Sequence, residues 1–123
     1  MLAKANRITS ADDYRVIVRR GAKVAGAHTV SYVRSRESGT DARFGFIVSK
    51  KVGGAVRRNR VRRRLKAVCH EALGDGIADI DVVVRALPSA SHAEWSEIRA
   101  EVLTALARRR ARASAGSTQE KGH

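Results

Sequence analysis

The sequence predicts an α+β domain in which one small sheet and three helices pack as a two-layer sandwich. Apolar residues recur at helical spacing in three separate stretches, centred on Ile17, Leu65 and Val102. Between them lie runs dense in branched and aromatic side chains, RFGFIVS at 43–49 and DVVV at 81–84, which read as strands. A chain of 123 residues is long enough for one hydrophobic core and too short for two.

Ser10 suits the N-cap of a first helix, with Asp12 and Asp13 in the first turn, where the helix dipole favours negative charge. Tyr14, Ile17 and Val18 form its apolar stripe and Gly21 its stop, so the helix spans about 11–20. Residues 24–36 look extended, with Val30 and Tyr32 on one side and Ser31 and Val33 on the other, and the stretch near Val24 leaves room for a further short strand. Residues 37–41, ESGTD, are a turn by composition. The strand at 43–49 contains Gly45, which points to a close approach of some group to the backbone. Gly53 and Gly54 break that strand and admit a long helix of about 56–73. On a helical projection Val61, Leu65, Val68, Cys69 and Ala72 make one stripe, and Asn59, Arg60, Arg63, Lys66 and His70 lie opposite. The run at 80–86, nearly continuous in valine, reads as a strand covered on both faces and ended by Pro88. Ser91 can cap a last helix whose stripe is Trp95, Ile98, Val102 and Leu106. The chain thus divides into a single domain at 1–110 and a small, polar, charged tail at 111–123 for which disorder is expected. No internal repeat is visible.

Charge carries the functional signal. There are 25 Lys and Arg against 12 Asp and Glu, a net +13, and ten of the cations with no acid fall between Ala42 and His70. The densest part, KKVGGAVRRNRVRRRLK at 50–66, pairs this charge with the apolar stripe, so it is one face of an anchored helix rather than a loose arm. Like charges at this density repel unless a polyanion neutralises them, the footprint of a nucleic-acid binder. Lys50, Lys51, Arg57, Arg58, Asn59, Arg60, Arg62, Arg63 and Lys66 are the candidate RNA contacts. Arginine's planar fork suits phosphates and stacks on bases, and the Asn59 amide can both donate and accept. The two glycines resemble a phosphate cradle, but no Walker pattern is present and a sharp strand-to-helix turn explains them as well.

Tyr14 suits a stacking role or the core equally, Tyr32 on a strand face is the better platform for an unpaired base, and Phe44, Phe46 and Trp95 are expected in the core. Cys69 is the single cysteine, so no internal disulfide forms and a reducing compartment is expected. The sequence shows no His/Cys set at zinc spacing, no locally supported serine-histidine-acid set and no clustered carboxylates, so no catalytic apparatus or protein-held cofactor is expected. The opening MLAKANRITSADDY lacks an apolar core for secretion and no stretch approaches the ~20 apolar residues of a membrane span, so a cytoplasmic protein without membrane attachment is expected.

SKKVGGAVRRNRVRRRL at 49–65 resembles the signature of the bacterial ribonuclease P protein component, and NRITSADDY, RFGFIVSKK and DVVVRALPSA fall in that family's order, so the likeness covers about 5–110. It implies a left-handed β-α-β crossover around the basic helix, against the right-handed rule for such units. It also implies that a separate catalytic RNA performs magnesium-dependent removal of the 5′ leader from precursor tRNA, the ion held mainly by RNA and the protein alone inactive. Arg58, Asn59 and Arg60 match the family's R-N-R motif, Lys50 and Lys51 its paired lysines, and Arg62 and Arg63 continue the RNA-contacting helix. Tyr14, Val18 and Tyr32 match positions of a leader-binding cleft between the first helix and the sheet, Tyr14 standing where phenylalanine is usual and Val18 where many relatives have a second aromatic. Gly54 replaces a residue that is often asparagine. The alternatives are a small basic ribosomal or other RNA-binding protein, which does not account for R-N-R after KK-x-G-x-A-V, and a self-sufficient nuclease, which lacks the carboxylates.

Overall fold

The computed structural model describes the backbone of residues 2–121 and the side chains of residues 2–108. Its elements are α1 (Ala11–Arg20), β1 (Ala22–Ala25), β2 (Thr29–Ser35), β3 (Arg43–Ile47), α2 (Ala55–Gly74), β4 (Ile80–Ala86) and α3 (Trp95–Lys121). The caps of α1 are those the sequence predicts: Ser10 Oγ accepts from Asp13 N, and Gly21 N donates to Ile17 O. The further strand near Val24 exists, as β1.

The strand order is β1-β2-β4-β3, with β2 antiparallel to both β1 and β4, and β3 parallel to β4. The parallel pair is joined through α2, the β-α-β crossover. Register then assigns every side chain a face, because side chains alternate along a strand. Val33 opposite Val82, and Phe44 beside Val82, turn to one face, where α2 and α3 cover them. Tyr32 opposite Val83 turns to the other, against Ile17 of α1. The valine run of β4 is therefore buried on both faces, as its composition predicts. The helices divide between the faces, α1 alone on one side, where a two-layer sandwich is the expectation from sequence.

All five stripe residues of α2 are buried: Val61, Leu65, Val68, Cys69 and Ala72. Burial pushes the Cys69 thiol pKa up, since no cation or helix end stabilises the thiolate there. In α3, Ile98, Val102 and Leu106 are buried as expected, but Trp95 is 37% exposed. The reason is where the helix starts. Pro88 opens a 3-10 turn, Pro88–Ser91, and the Ser91 hydroxyl donates back to Pro88 O instead of capping α3. Trp95 is therefore the first residue of the helix, and side chains in a helix lean towards its N-terminus, which carries this ring past the core. The backbone of α3 runs on to Lys121. Residues 122 and 123 and the side chains from 109 onward lie outside the described residues.

The outer edge of β3 is closed by the N-terminal segment. Ile8 N donates to Phe44 O at 2.9 Å, and Phe46 N donates to the Tyr14 hydroxyl at 3.1 Å. Gly45 lets the Tyr14 ring come this near, since a Cβ there would lie 2.6 Å from ring atoms. Beside it, Asp81 is buried and takes both forks of Arg43 at 2.8 Å, with Arg36 Nε at 3.5 Å and Asp13 of α1 3.5 Å from Arg43.

Leu65→Ala should cost about 2–5 kcal/mol through a cavity under α2, read from denaturant midpoints. Gly45→Ala should cost about 1–3 kcal/mol by displacing Tyr14, and that cost should shrink in a Tyr14→Ala background. An unchanged Gly45→Ala cost there would show that the ring is not what the new methyl meets.

Candidate nucleic-acid interface

The start of α2 is built by glycine geometry and buried valines. Gly53 has φ 146°, and a side chain there would meet Arg57 Cδ at 2.9 Å, so this glycine is required by the turn. Gly54 is the N-cap, with open space around it and no side-chain cap. Ahead of it, Lys50 and Lys51 stand exposed on a 3-10 turn, Lys50–Val52, which buried Val48 and Val52 anchor and Ser49 Oγ caps by accepting from Lys51 N. The paired lysines thus sit at the positive end of the α2 dipole.

Along α2, Arg57, Asn59, Arg60 and Arg63 are exposed, while Arg58, Arg62 and Lys66 are half-buried. The structure brings all nine predicted RNA-contact residues to this turn and helix. Asn59 Oδ1 accepts from Arg62 Nη1 at 3.1 Å, which leaves the Asn59 amide hydrogens outward. Arg58 Nε is buried without a partner among the described residues. None of the predicted cationic contacts has an acidic partner among the described residues. Other arginines are engaged in the fold. Arg43 lies in the same cationic segment, but the hydrogen bond to Asp81 holds it there and raises its pKa further. Arg64 Nη1 donates to Ala93 O at 3.4 Å, and Arg99 donates to Glu71, drawing that carboxyl below its usual range.

The α1 face offers a different surface. Tyr14, Val18, Ile47 and Leu87 are partly buried around a floor of Ile8, Ile17, Val30, Tyr32 and Val83. Tyr32 is only 6% exposed, and the Arg85 guanidinium lies 5.8 Å from its ring centroid. Tyr32 is therefore floor rather than an open platform, because α1 packs over its strand. Arg85, Ile47 and Leu87 form the accessible rim. Sequence reasoning missed Arg85, although its position two residues beyond Val83 places it on the same face by strand alternation.

Tertiary packing also assembles a serine-histidine-carboxylate set that the sequence does not betray. His28 Nδ1 lies 2.8 Å from Ser89 Oγ, and Nε2 lies 3.0 Å from Glu97 Oε2. The Ser89 hydroxyl donates to Ala27 O, so the imidazole meets it as a donor and cannot act as its base. The set ties the β1–β2 turn to α3, alongside Glu101, whose carboxylate accepts from His28 N and Thr29 N. Among the described residues no group of three or more His, Cys, Asp or Glu is arranged to hold a metal ion, and no helix is long and apolar enough to cross a membrane.

A family model described as Ribonuclease P matches residues 2–110. The ribonuclease P protein component of Clavibacter michiganensis subsp. michiganensis is 44% identical over 108 residues, covering 88% of this chain and 96% of the relative. That of Streptomyces bikiniensis is 38% identical over 116 residues, covering 88% and 94%. The solved RNase P protein of Staphylococcus aureus is similar with a TM-score of 0.71 at 29% identity, covering 82% of this chain and 92% of that one. The one from Thermotoga maritima gives 0.72 at 25% identity, covering 83% and 96%.

The two kinds of arginine should separate in a melting experiment. Arg43→Ala should destabilise by about 3 kcal/mol, the low end for a broken buried pair because Arg36 remains beside Asp81. Arg60→Ala should shift stability by less than about 0.5 kcal/mol. Equal shifts would mean that the exposed face of α2 is misassigned.

Proposed function

The chain belongs to the ribonuclease P protein family, and from that premise we propose that α2 lies along the catalytic RNA while the α1 face holds the 5′ leader of precursor tRNA. It is the protein subunit of ribonuclease P, a ribonucleoprotein endoribonuclease of tRNA processing, and its partner is RNA. The observation that carries the proposal is the outward face of the segment from Lys50 to Lys66, whose cations have no acidic partner among the described residues. Phosphates supply the missing charge. Arg57, Arg60, Arg62, Arg63 and Lys66 pair with them, the exposed lysines meet the backbone ahead of the helix, and the Asn59 amide donates to a phosphate or a base edge.

The leader crosses the other face. Tyr14 and Val18 form one wall, Ile47 and Leu87 the opposite rim, and Arg85 supplies a cation to the leader backbone. Tyr32 contributes from beneath, as the support of Arg85. Valine at position 18 makes that wall less able to stack a base than a ring would be. The reaction's magnesium is held by RNA: Asp81 and Asp13 are engaged with Arg43, and the described residues offer no cage of acidic side chains. The work proceeds in the cytoplasm.

Affinity for the catalytic RNA should fall with salt at a log-log slope of several units, and Arg60→Ala should reduce the slope by about one; a slope near zero would sink the charge argument. Arg85→Ala should weaken binding of precursor tRNA to the reconstituted holoenzyme and leave mature tRNA unaffected, with an unchanged melting temperature. Equal losses for both RNAs would remove the leader from this face. The protein without RNA should cleave no precursor at any magnesium concentration.

A further inference from the structure

Trp95 is the one large aromatic side chain left exposed, and it is not alone. It lines a shallow hollow of about 330 Å³ with Arg60, Arg63, Arg64 and Ala67 of α2. These α2 positions follow the i, i+3, i+4, i+7 row that borders α3. One turn further on, Glu71 receives Arg99 of α3, which fixes the two helices together and pairs that acid. Glu97 is turned away towards His28. Arg64 reaches Ala93 O, two residues before the indole, and so ties the wall of the hollow to its end. Arg60 and Arg63 have no partner among the described residues. The small side chain of Ala67 leaves the floor open.

We propose that this hollow is a subsite for one unpaired nucleotide of the catalytic RNA, its base stacked on Trp95 and its flanking phosphates held by Arg60 and Arg63. The proposal rests on the reading that α2 faces RNA, and it adds a base-binding element to what is otherwise a phosphate grip. An indole presents a broad flat face that stacks on any base, and guanidinium forks beside it neutralise the phosphates on either side. Every free charge at the hollow except Glu94 is positive, which favours a polyanion over an apolar partner. The occupant is not the leader, because α2 and α3 cover the face of the sheet opposite α1. Packing alone does not explain the residue, since Ile98, Val102 and Leu106 complete the buried stripe without it.

Trp95 is the single tryptophan of the chain, so indole emission, excited to the red of the two tyrosines, reports on this site alone. Titration of the wild-type chain with its catalytic RNA should quench that emission and shield it from acrylamide. A blunt RNA duplex at equal occupancy should do neither. Trp95→Ala should weaken binding of the catalytic RNA about tenfold while Trp95→Tyr stays within about threefold, and neither should change the preference for precursor over mature tRNA. Emission that stays bright and acrylamide-accessible at saturating RNA overturns the inference, whether or not the alanine variant folds. Quenching by polyglutamate as strong as that by RNA overturns it in favour of an acidic peptide. Arg62→Ala, outside the hollow, separates the two levels. Weakened RNA binding in that variant beside an unresponsive Trp95 removes only the stacking site, whereas undiminished binding removes the reading of α2 as well.

Discussion

The fold depends on α2 keeping a narrow apolar stripe buried while it carries seven Lys and Arg in a single helix. Like charges four residues apart, such as Arg58 and Arg62 or Arg60 and Arg64, each cost roughly 0.2–0.5 kcal/mol. Burying Val61, Leu65 and Val68 contributes about 1.5–3 kcal/mol apiece, so the stripe wins comfortably. The helix is held from below by the sheet and not by its own sequence. That arrangement leaves the cationic face unsatisfied on a backbone already fixed, which suits it to a polyanion: only the side chains, not the helix, have freedom left to lose when phosphates arrive.

Positive charge in this chain has two separate uses, and only contacts distinguish them. Arg43 and Arg36 close on a buried carboxylate at Asp81 and, through Asp13, draw α1 to the sheet. Arg99 closes on Glu71 and Arg64 on a backbone carbonyl, joining α2 to α3. The remainder on α2 face outward. A net charge of +13 therefore overstates the field available to RNA in some places and not in others. The part that survives pairing is concentrated on the turn before α2 and on the helix itself.

The α1 side is shaped by the need to close the edge of β3. An open edge strand invites pairing with another chain. Here Ile8 and the Tyr14 hydroxyl occupy it, and Gly45 exists so that the ring can reach. Tyr14 consequently serves the fold and borders the partly buried patch of Val18, Ile47 and Leu87 at once.

The sequence by itself determined the elements whose signals are local. The caps and bounds of α1, the five-residue stripe of α2 and its opposite face with Asn59 and Arg60, and the double-sided burial of β4 all follow from periodicity and capping within a dozen residues. The motif at 49–65 pointed to the family for the same reason, being contiguous. Tertiary structure decided what depends on partners distant in the chain. Strand register placed Tyr32 beneath Arg85 instead of in the open. The bond between Arg43 and Asp81 removed one cation from the unpaired basic surface. The 3-10 turn at Pro88 delayed α3 until Trp95, turning an expected core residue into an exposed ring between arginines. A helical or strand period tells which side of its own element a residue occupies; whether that side meets protein or water is set by which element packs there, and by where each element begins.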